Sequence, residues 1–185
     1  MRRSSMTAAS TLLALLAVSH LSGCVMKSRY NTMLQQQQAL ESSLRVEINA
    51  DQVKIEQLEN GIRVRVANEL LHRSGSVELH PNGRAALDKV AGQLADMAAH
   101  GNRIDVVGNT DDVPVGREIE ARYPTNWELA GARAATVVRH LQKSGVDPTK
   151  LDAKSCGQYD PVASNATAAG RAQNRRTELF IRPPE

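Results

Sequence analysis

The feature that most limits how this chain can fold is the stretch from Asn109 to Arg139. An apolar run, Ile104 to Val107, leads into it and reads as a strand. Asn109-Thr110-Asp111-Asp112-Val113-Pro114 then breaks the run, and a polar loop continues to Pro124. Thr125 and Glu128 stand at Ser/Thr-x-x-Glu spacing, where each side chain can take up a free backbone N–H at the other's position. A helix is expected to begin there. Trp127, Ala130, Ala134, Val138 and Leu141 recur at helical spacing and form its expected apolar face. Asn126, Leu129 and Arg133 are three and four residues apart and fall on a different face. A strand-end carboxylate, Asp111, thus meets a helical guanidinium, Arg133. Such a pair suits a zwitterionic ligand better than a catalytic centre.

The rest of the chain from Gly61 onward supplies a frame for this pair. Ile62, Val64 and Val66 alternate with Arg63, Arg65 and Ala67, which predicts a strand with one polar face. Leu70 to Ser76 reads as a turn-bearing connection, and Pro81 fits the first turn of a helix. Leu87, Val90, Ala91, Leu94 and Ala98 form that helix's stripe, and Gly101-Asn102 ends it. The helix from Asn126 is expected to stop near Gly145. Leu151 to Cys156 predicts a third strand, Gly157 to Gly170 a loop, and Thr177 to Ile181 the last strand. The order β-α-β-α-β-loop-β implies an α/β (α+β) domain with two helices on one mixed four-stranded sheet.

Three spaced motifs carry a resemblance. They are Thr110-Asp111, then Asn126-Trp127-Glu128-Leu129-Ala130-Gly131-Ala132-Arg133-Ala134, then Gly170-Arg171-Ala172-Gln173-Asn174-Arg175-Arg176. In this order they resemble the OmpA-like C-terminal domain, whose members show T-D-x-x-G, N-x-x-L-S-x-x-R-A and G-R-x-x-N-R-R. Thr-Asp-Asp-Val-Pro followed by Tyr-Pro-Thr-Asn-Trp-Glu-Leu is most similar to the MotB-like branch. The resemblance implies a peptidoglycan-binding domain over residues 61–185 and the same fold. It further implies that Asp111 accepts hydrogen bonds from the ammonium of diaminopimelate in the stem peptide. Arg133 would fork onto the carboxylate, with Thr110, Asn126 and Leu129 lining the pocket and Arg175 as a further contact. Two departures stand out. His72-Arg73 replaces the Phe-Asp that the family often carries, and the glycine of T-D-x-x-G is displaced, with Val113-Pro114 following. The loop to Tyr123 is correspondingly longer.

The N-terminal side reads differently. Residues 1–23 have a basic start, Arg2-Arg3, and an apolar stretch from Thr7 to Val18, the pattern of an export signal. That stretch is shorter than the roughly 20 residues a membrane-spanning helix needs. Leu21-Ser22-Gly23-Cys24 resembles the bacterial lipobox, which implies acylation of Cys24, with palmitate among the acyl chains. Val25 after the cysteine favours the outer membrane, with the domain in the periplasm. Residues 24–60 are polar and glutamine-rich, with Leu44, Ile48, Asp51, Ile55 and Leu58 at heptad spacing. Two readings stand side by side: a coiled-coil stalk that associates copies of the chain, and a single amphipathic helical linker.

Composition excludes several classes. The formal charge is +3, and without Arg2 and Arg3 it is +1, which gives no electrostatic case for nucleic acid. The five histidines show no metal-ligand spacing, no cofactor motif appears, and there is neither G-x-S-x-G nor a phosphate loop. Catalysis is therefore not expected. The two readings of function are a lipid-anchored tether between outer membrane and wall, and a wall-anchoring accessory of a motor, secretion or signalling complex.

Overall fold

The computed structural model describes residues 27–73 and 75–184. The export segment and Cys24 lie outside the described residues, as does Ser74. The chain divides into two units, Met1–Gln36 and Gln37–Glu185. In the first, residues 27–36 are helical, and Thr32 Oγ1 donates to the Ser28 carbonyl at 3.1 Å.

In the second unit the elements run α1 (residues 37–43), α2 (Arg45–Asn49), β1 (Val53–Leu58), β2 (Gly61–Ala67), α3 (Asn68–Leu71) and α4 (Pro81–Ala99). Then follow β3 (Arg103–Asn109), α5 (Arg117–Glu120), α6 (Asn126–Lys143), β4 (Leu151–Gly157), α7 (Ala168–Asn174) and β5 (Arg176–Arg182). The expected class holds: helices pack on one mixed sheet. The sheet has five strands, in the order β1-β2-β5-β3-β4. β5 sits in the middle, antiparallel to both β2 and β3, while β3 and β4 are parallel and joined through α6.

The fifth strand corrects the reading of residues 24–60. The helical run stops at Asn49, and Val53–Leu58 pairs with β2 in an antiparallel hairpin from Val53↔Val66 to Leu58↔Gly61. Asp51 turns the chain with φ 55°, a conformation that Asp tolerates better than most residues. The cause is burial. Leu40 and Leu44 are already sunk in the core, and Val53 joins them there, with Ile55 packed against it. The five heptad residues therefore do not share one helix face, and association through that seam loses its basis.

The sheet's two faces differ sharply. Ile62, Val64 and Val66 of β2, Ile104 and Val106 of β3, and Leu179 and Ile181 of β5 point one way, into a core completed by α4 and α6. The pleat sends the alternate residues to the other face. There Arg65 Nε donates to Glu178 Oε1 at 3.0 Å, Lys154 meets Asp105 at 2.7 Å, and Arg63 lies 5.1 Å over the Phe180 ring. This face is a lattice of paired charges in which Glu178 and Asp105 are buried beneath the cations they bind.

Both long helices start as their sequences imply. Pro81 occupies the first turn of α4, and His80 Nδ1 accepts from the Asn82 N–H. Thr125 and Glu128 close a capping box at the start of α6. Among the described residues, no helix is long and apolar enough to cross a membrane.

Candidate functional site

The candidate site is assembled where β3 ends beneath the start of α6. Gly108 allows this approach. A Cβ there would stand 2.1 Å from the Ala130 carbonyl oxygen, inside the backbone of α6. One residue later the β3–β4 register shifts, with Gly108 opposite Ser155 and Asn109 opposite Gly157. The bulge turns the chain out of the sheet, a common device for re-aiming side chains. Thr110 N–H donates to the Gly157 carbonyl at 2.8 Å, and Thr110 Oγ1 donates to the Asp111 carbonyl at 2.9 Å.

Asn126 fixes this loop against the helix. Its Nδ2 donates to the carbonyls of Asp111 (3.3 Å) and Val113 (3.0 Å), and to Gln158 Oε1 (2.8 Å). A second buried amide works from below. Asn68 Nδ2 donates to the Asn109 carbonyl at 3.1 Å, its Oδ1 accepts from Thr177, and its backbone N–H donates to the Arg175 carbonyl. Three elements distant in sequence are thereby tied at one point.

Asp111 is buried, and its two oxygens do different work. Oδ1 accepts from the Val113 N–H at 3.2 Å, and Oδ2 accepts from Arg175 Nη1 at 2.8 Å. Arg175 reaches Glu69 with its other amino group, and these bonds, Glu69's first, hold its pKa above the ordinary value. Arg133 is buried as well, 8% exposed. Its Nε donates to the Ser76 carbonyl at 3.1 Å, and among the described residues it takes part in no ion pair. Burial pushes its pKa down, Asp111 pulls it back up, and Arg175 adds a smaller depression. Behind it lies His72, 3% exposed, its ring forming no well-aligned hydrogen bond among the described residues, although the main chain of Val77 and Glu78 lies close enough to offset part of the fall in its pKa. Burial first, and the Arg133 charge second, lower the His72 pKa to about 4. The ring is therefore neutral at physiological pH.

The six sequence-predicted residues are brought to one place, though not as the helical wheel implies. Asn126, Leu129 and Arg133 are all buried, because the N-terminal half of α6 is enclosed on two sides. Trp127, expected on the apolar face, is instead exposed and stacks on Tyr159. The covered face is carried by Ala130, Ala134, Val137 and Leu141. Asn174 is structural: its side chain bonds Val162 N–H, Ala163 N–H and the Ala163 carbonyl, holding the loop before α7. Arg176 pairs with Asp160 and Glu178 on the charged side.

Sequence reasoning did not find Glu69, Gln158 or the Ser76 carbonyl. The first two are single polar residues on separate elements, and a main-chain carbonyl leaves no mark in sequence. Gly108 did carry a signal, a glycine inside a strand pattern, which often marks close backbone approach. Chemically, the arrangement offers a buried cation whose terminal amino groups bond to no other described residue, beside a carboxylate with spare lone pairs. Among the described residues, no group of three His, Cys, Asp or Glu is placed to hold a metal ion.

Residues 71–175 match the OmpA family. The chain is 42% identical over 103 residues to Outer membrane protein A of Bordetella avium, covering 56% of this chain and 48% of that one. It is 38% identical over 104 residues to the Peptidoglycan-associated lipoprotein of Pseudomonas putida, covering 56% and 57%. The chain thus spans about half the length of these relatives. Among solved structures, a MotB-like protein from Desulfovibrio vulgaris superposes with TM-score 0.72 at 28% identity, over 87% of this chain and 97% of that one.

Proposed function

Because this chain belongs to the OmpA family, we propose that it binds peptidoglycan without catalysing a reaction on it, and that the pocket takes the diaminopimelate residue of the stem peptide. That residue ends in an ammonium and a carboxylate on one carbon. The observation that carries this reading is the state of Arg133: a buried guanidinium whose one hydrogen bond among the described residues goes to the Ser76 carbonyl. A buried charge without a counter-ion is costly, and a ligand carboxylate removes the cost by forking onto it. The ligand ammonium then donates to Asp111, whose oxygens each accept one bond among the described residues and retain lone pairs. Thr110 and Asn126 shape the loop, Leu129 lines the wall, and Arg175 sets the position of the Asp111 carboxylate.

A lipid on Cys24 would tether this domain to the outer membrane. The Leu21-Ser22-Gly23-Cys24 stretch supports that part, and one relative is itself a peptidoglycan-associated lipoprotein. The likeness to a MotB-like structure supports a second role, as the wall-holding end of a larger envelope assembly. Cys24→Ala is expected to leave an uncleaved precursor that no longer partitions into detergent. A mature mass identical to wild type would overturn the anchor.

The pocket is tested with soluble stem peptides. Lysine in place of diaminopimelate keeps the ammonium and removes the carboxylate, so Arg133 loses its partner. A charge-assisted hydrogen bond contributes about 1.5–3 kcal/mol, on the order of ten- to a hundredfold in affinity. Equal affinity for the two peptides would overturn the assignment.

A further inference from the structure

The chain holds one Trp and three Tyr, yet Trp127 (46%) and Tyr159 (66%) are both exposed. Their rings stack, with centroids 5.3 Å apart and planes 26° from parallel. Neither ring contributes to the core, so a reason for their position must be sought on the surface.

The pair is built, not adventitious. Ser155 Oγ donates to the Trp127 carbonyl at 2.8 Å, fixing the first turn of α6 to the end of β4. Gly157, at φ 53°, lies against Trp127: a Cβ there would stand 3.4 Å from the indole and 3.4 Å from the Trp127 nitrogen. The decisive feature is a repeat of layout. Asn126-Trp127 and Gln158-Tyr159 are two dipeptides, each with an amide followed by an aromatic. The amides turn inward and join at 2.8 Å on the pocket loop, while the aromatics turn outward and stack. Asn126 and Gln158 hold the loop of the site, and the rings of Trp127 and Tyr159 lie beside it on the open surface.

We infer that the Trp127–Tyr159 pair is a saccharide platform that seats a sugar ring of the glycan strand beside the stem-peptide pocket; this rests on the peptidoglycan reading above. The chemistry favours a sugar. An aromatic face is the negative side of its quadrupole. The axial C–H bonds of a pyranose present a flat, weakly positive surface to it, and the ring hydroxyls remain in water at the edge. Because the two rings stack on each other, the outer face they leave open is about one sugar ring in area, whereas a protein-docking patch is broader and continuous. Continuity supports the same occupant. A stem peptide held by Asp111 and Arg133 is covalently joined to a sugar two residues before its diaminopimelate, a reach of roughly 10 Å in extended chain. The platform begins one residue from Asn126.

The test compares two soluble ligands on the purified full chain: the stem peptide alone, and the same peptide carrying its N-acetylglucosamine–N-acetylmuramic acid disaccharide. Wild type is expected to bind the disaccharide-peptide more tightly. Trp127→Ala and Tyr159→Ala should each remove roughly five- to tenfold of that affinity, in line with stacking on a single aromatic face. Both should leave stem-peptide affinity unchanged. Trp127→Phe, which keeps a face, should restore most of the difference. Equal loss for both ligands would mean that the pair merely props the pocket, and would overturn the assignment. No loss for either would overturn it too. Photocrosslinking from position 127 that yields protein adducts and no glycan adducts would give the platform to a protein partner instead. A wild-type chain that binds neither ligand overturns the pocket, and the platform with it.

Discussion

The two sides of the pocket are built in opposite ways. On one side Asp111 is already served by Val113 N–H and by Arg175, and Arg175 is itself shared with Glu69. On the other side Arg133 has one backbone carbonyl, and a neutral imidazole behind it. An acidic wall that comes with its own cation gains little from a ligand ammonium, which must compete with Arg175. A buried cation that makes no direct ion pair among the described residues, with Asp111 acting on it only at longer range, gains much from a ligand carboxylate. Under the proposed binding of a zwitterionic ligand, the difference puts discrimination on the carboxylate side, and it can be broken from either end.

The largest expected effect is at Arg133. Arg133→Ala should lower affinity for diaminopimelate stem peptide on the order of ten- to a hundredfold, measured by calorimetry. Arg133→Met sharpens the point, since an apolar side chain of similar length relieves the desolvation of a buried charge. Its melting temperature is expected at or above that of wild type, although binding is lost. A large drop in melting temperature would show that the guanidinium holds the fold together and is not held for a ligand.

Next comes His72, which tests the environment behind the guanidinium. Its pKa in the fold is about 4, below the ordinary 6.5. The unfolded chain therefore takes up the proton first as pH falls. The contribution of the neutral ring is complete above about 6.5 and is lost progressively toward about 4, by up to about 3 kcal/mol. Urea midpoints across that window should fall for wild type and fall less for His72→Phe. Parallel curves for the two proteins would remove His72 as the cause.

Asp111→Asn should cost less than Arg133→Ala, about tenfold in binding, because the loop keeps its Asn126 and Thr110 bonds while the ammonium loses a charged acceptor. Glu69→Gln is expected to be smallest. Its side chain is 63% exposed, and such pairs contribute about 1 kcal/mol or less. Loss of binding as large as that at Arg133 would reverse the comparison drawn between the two sides.

How far these features are legible in sequence differs by region. From Gly61 onward, apolar periodicity gives the elements, and three spaced motifs bring Thr110, Asp111, Asn126, Leu129, Arg133 and Arg175 together. Before Gly61 the heptad spacing misled. Val53 and Ile55 also alternate at the strand period, and Asn60-Gly61 is a strong hairpin signal. Ile55 satisfies both periods, and only the packing of Leu40 and Leu44 decides between them. Inside the site, Arg133 reads as a surface residue on a helical wheel. Its burial depends on the Ser76 turn crossing over it, a long-range contact that no local pattern encodes.

The β1 hairpin has a mechanical meaning. Any tension that reaches this domain along the chain from its N-terminal side meets α1, α2 and β1 in turn. It must draw Leu40 and Leu44 from their seats and unfasten six paired residues at the sheet's edge before it loads β2. None of those residues belongs to the pocket, whose walls come from the β3–α6 connection, α6 and the start of β5. If the proposed tether loads the chain from that side, the edge strand is the seam that opens first, ahead of the elements that carry the site.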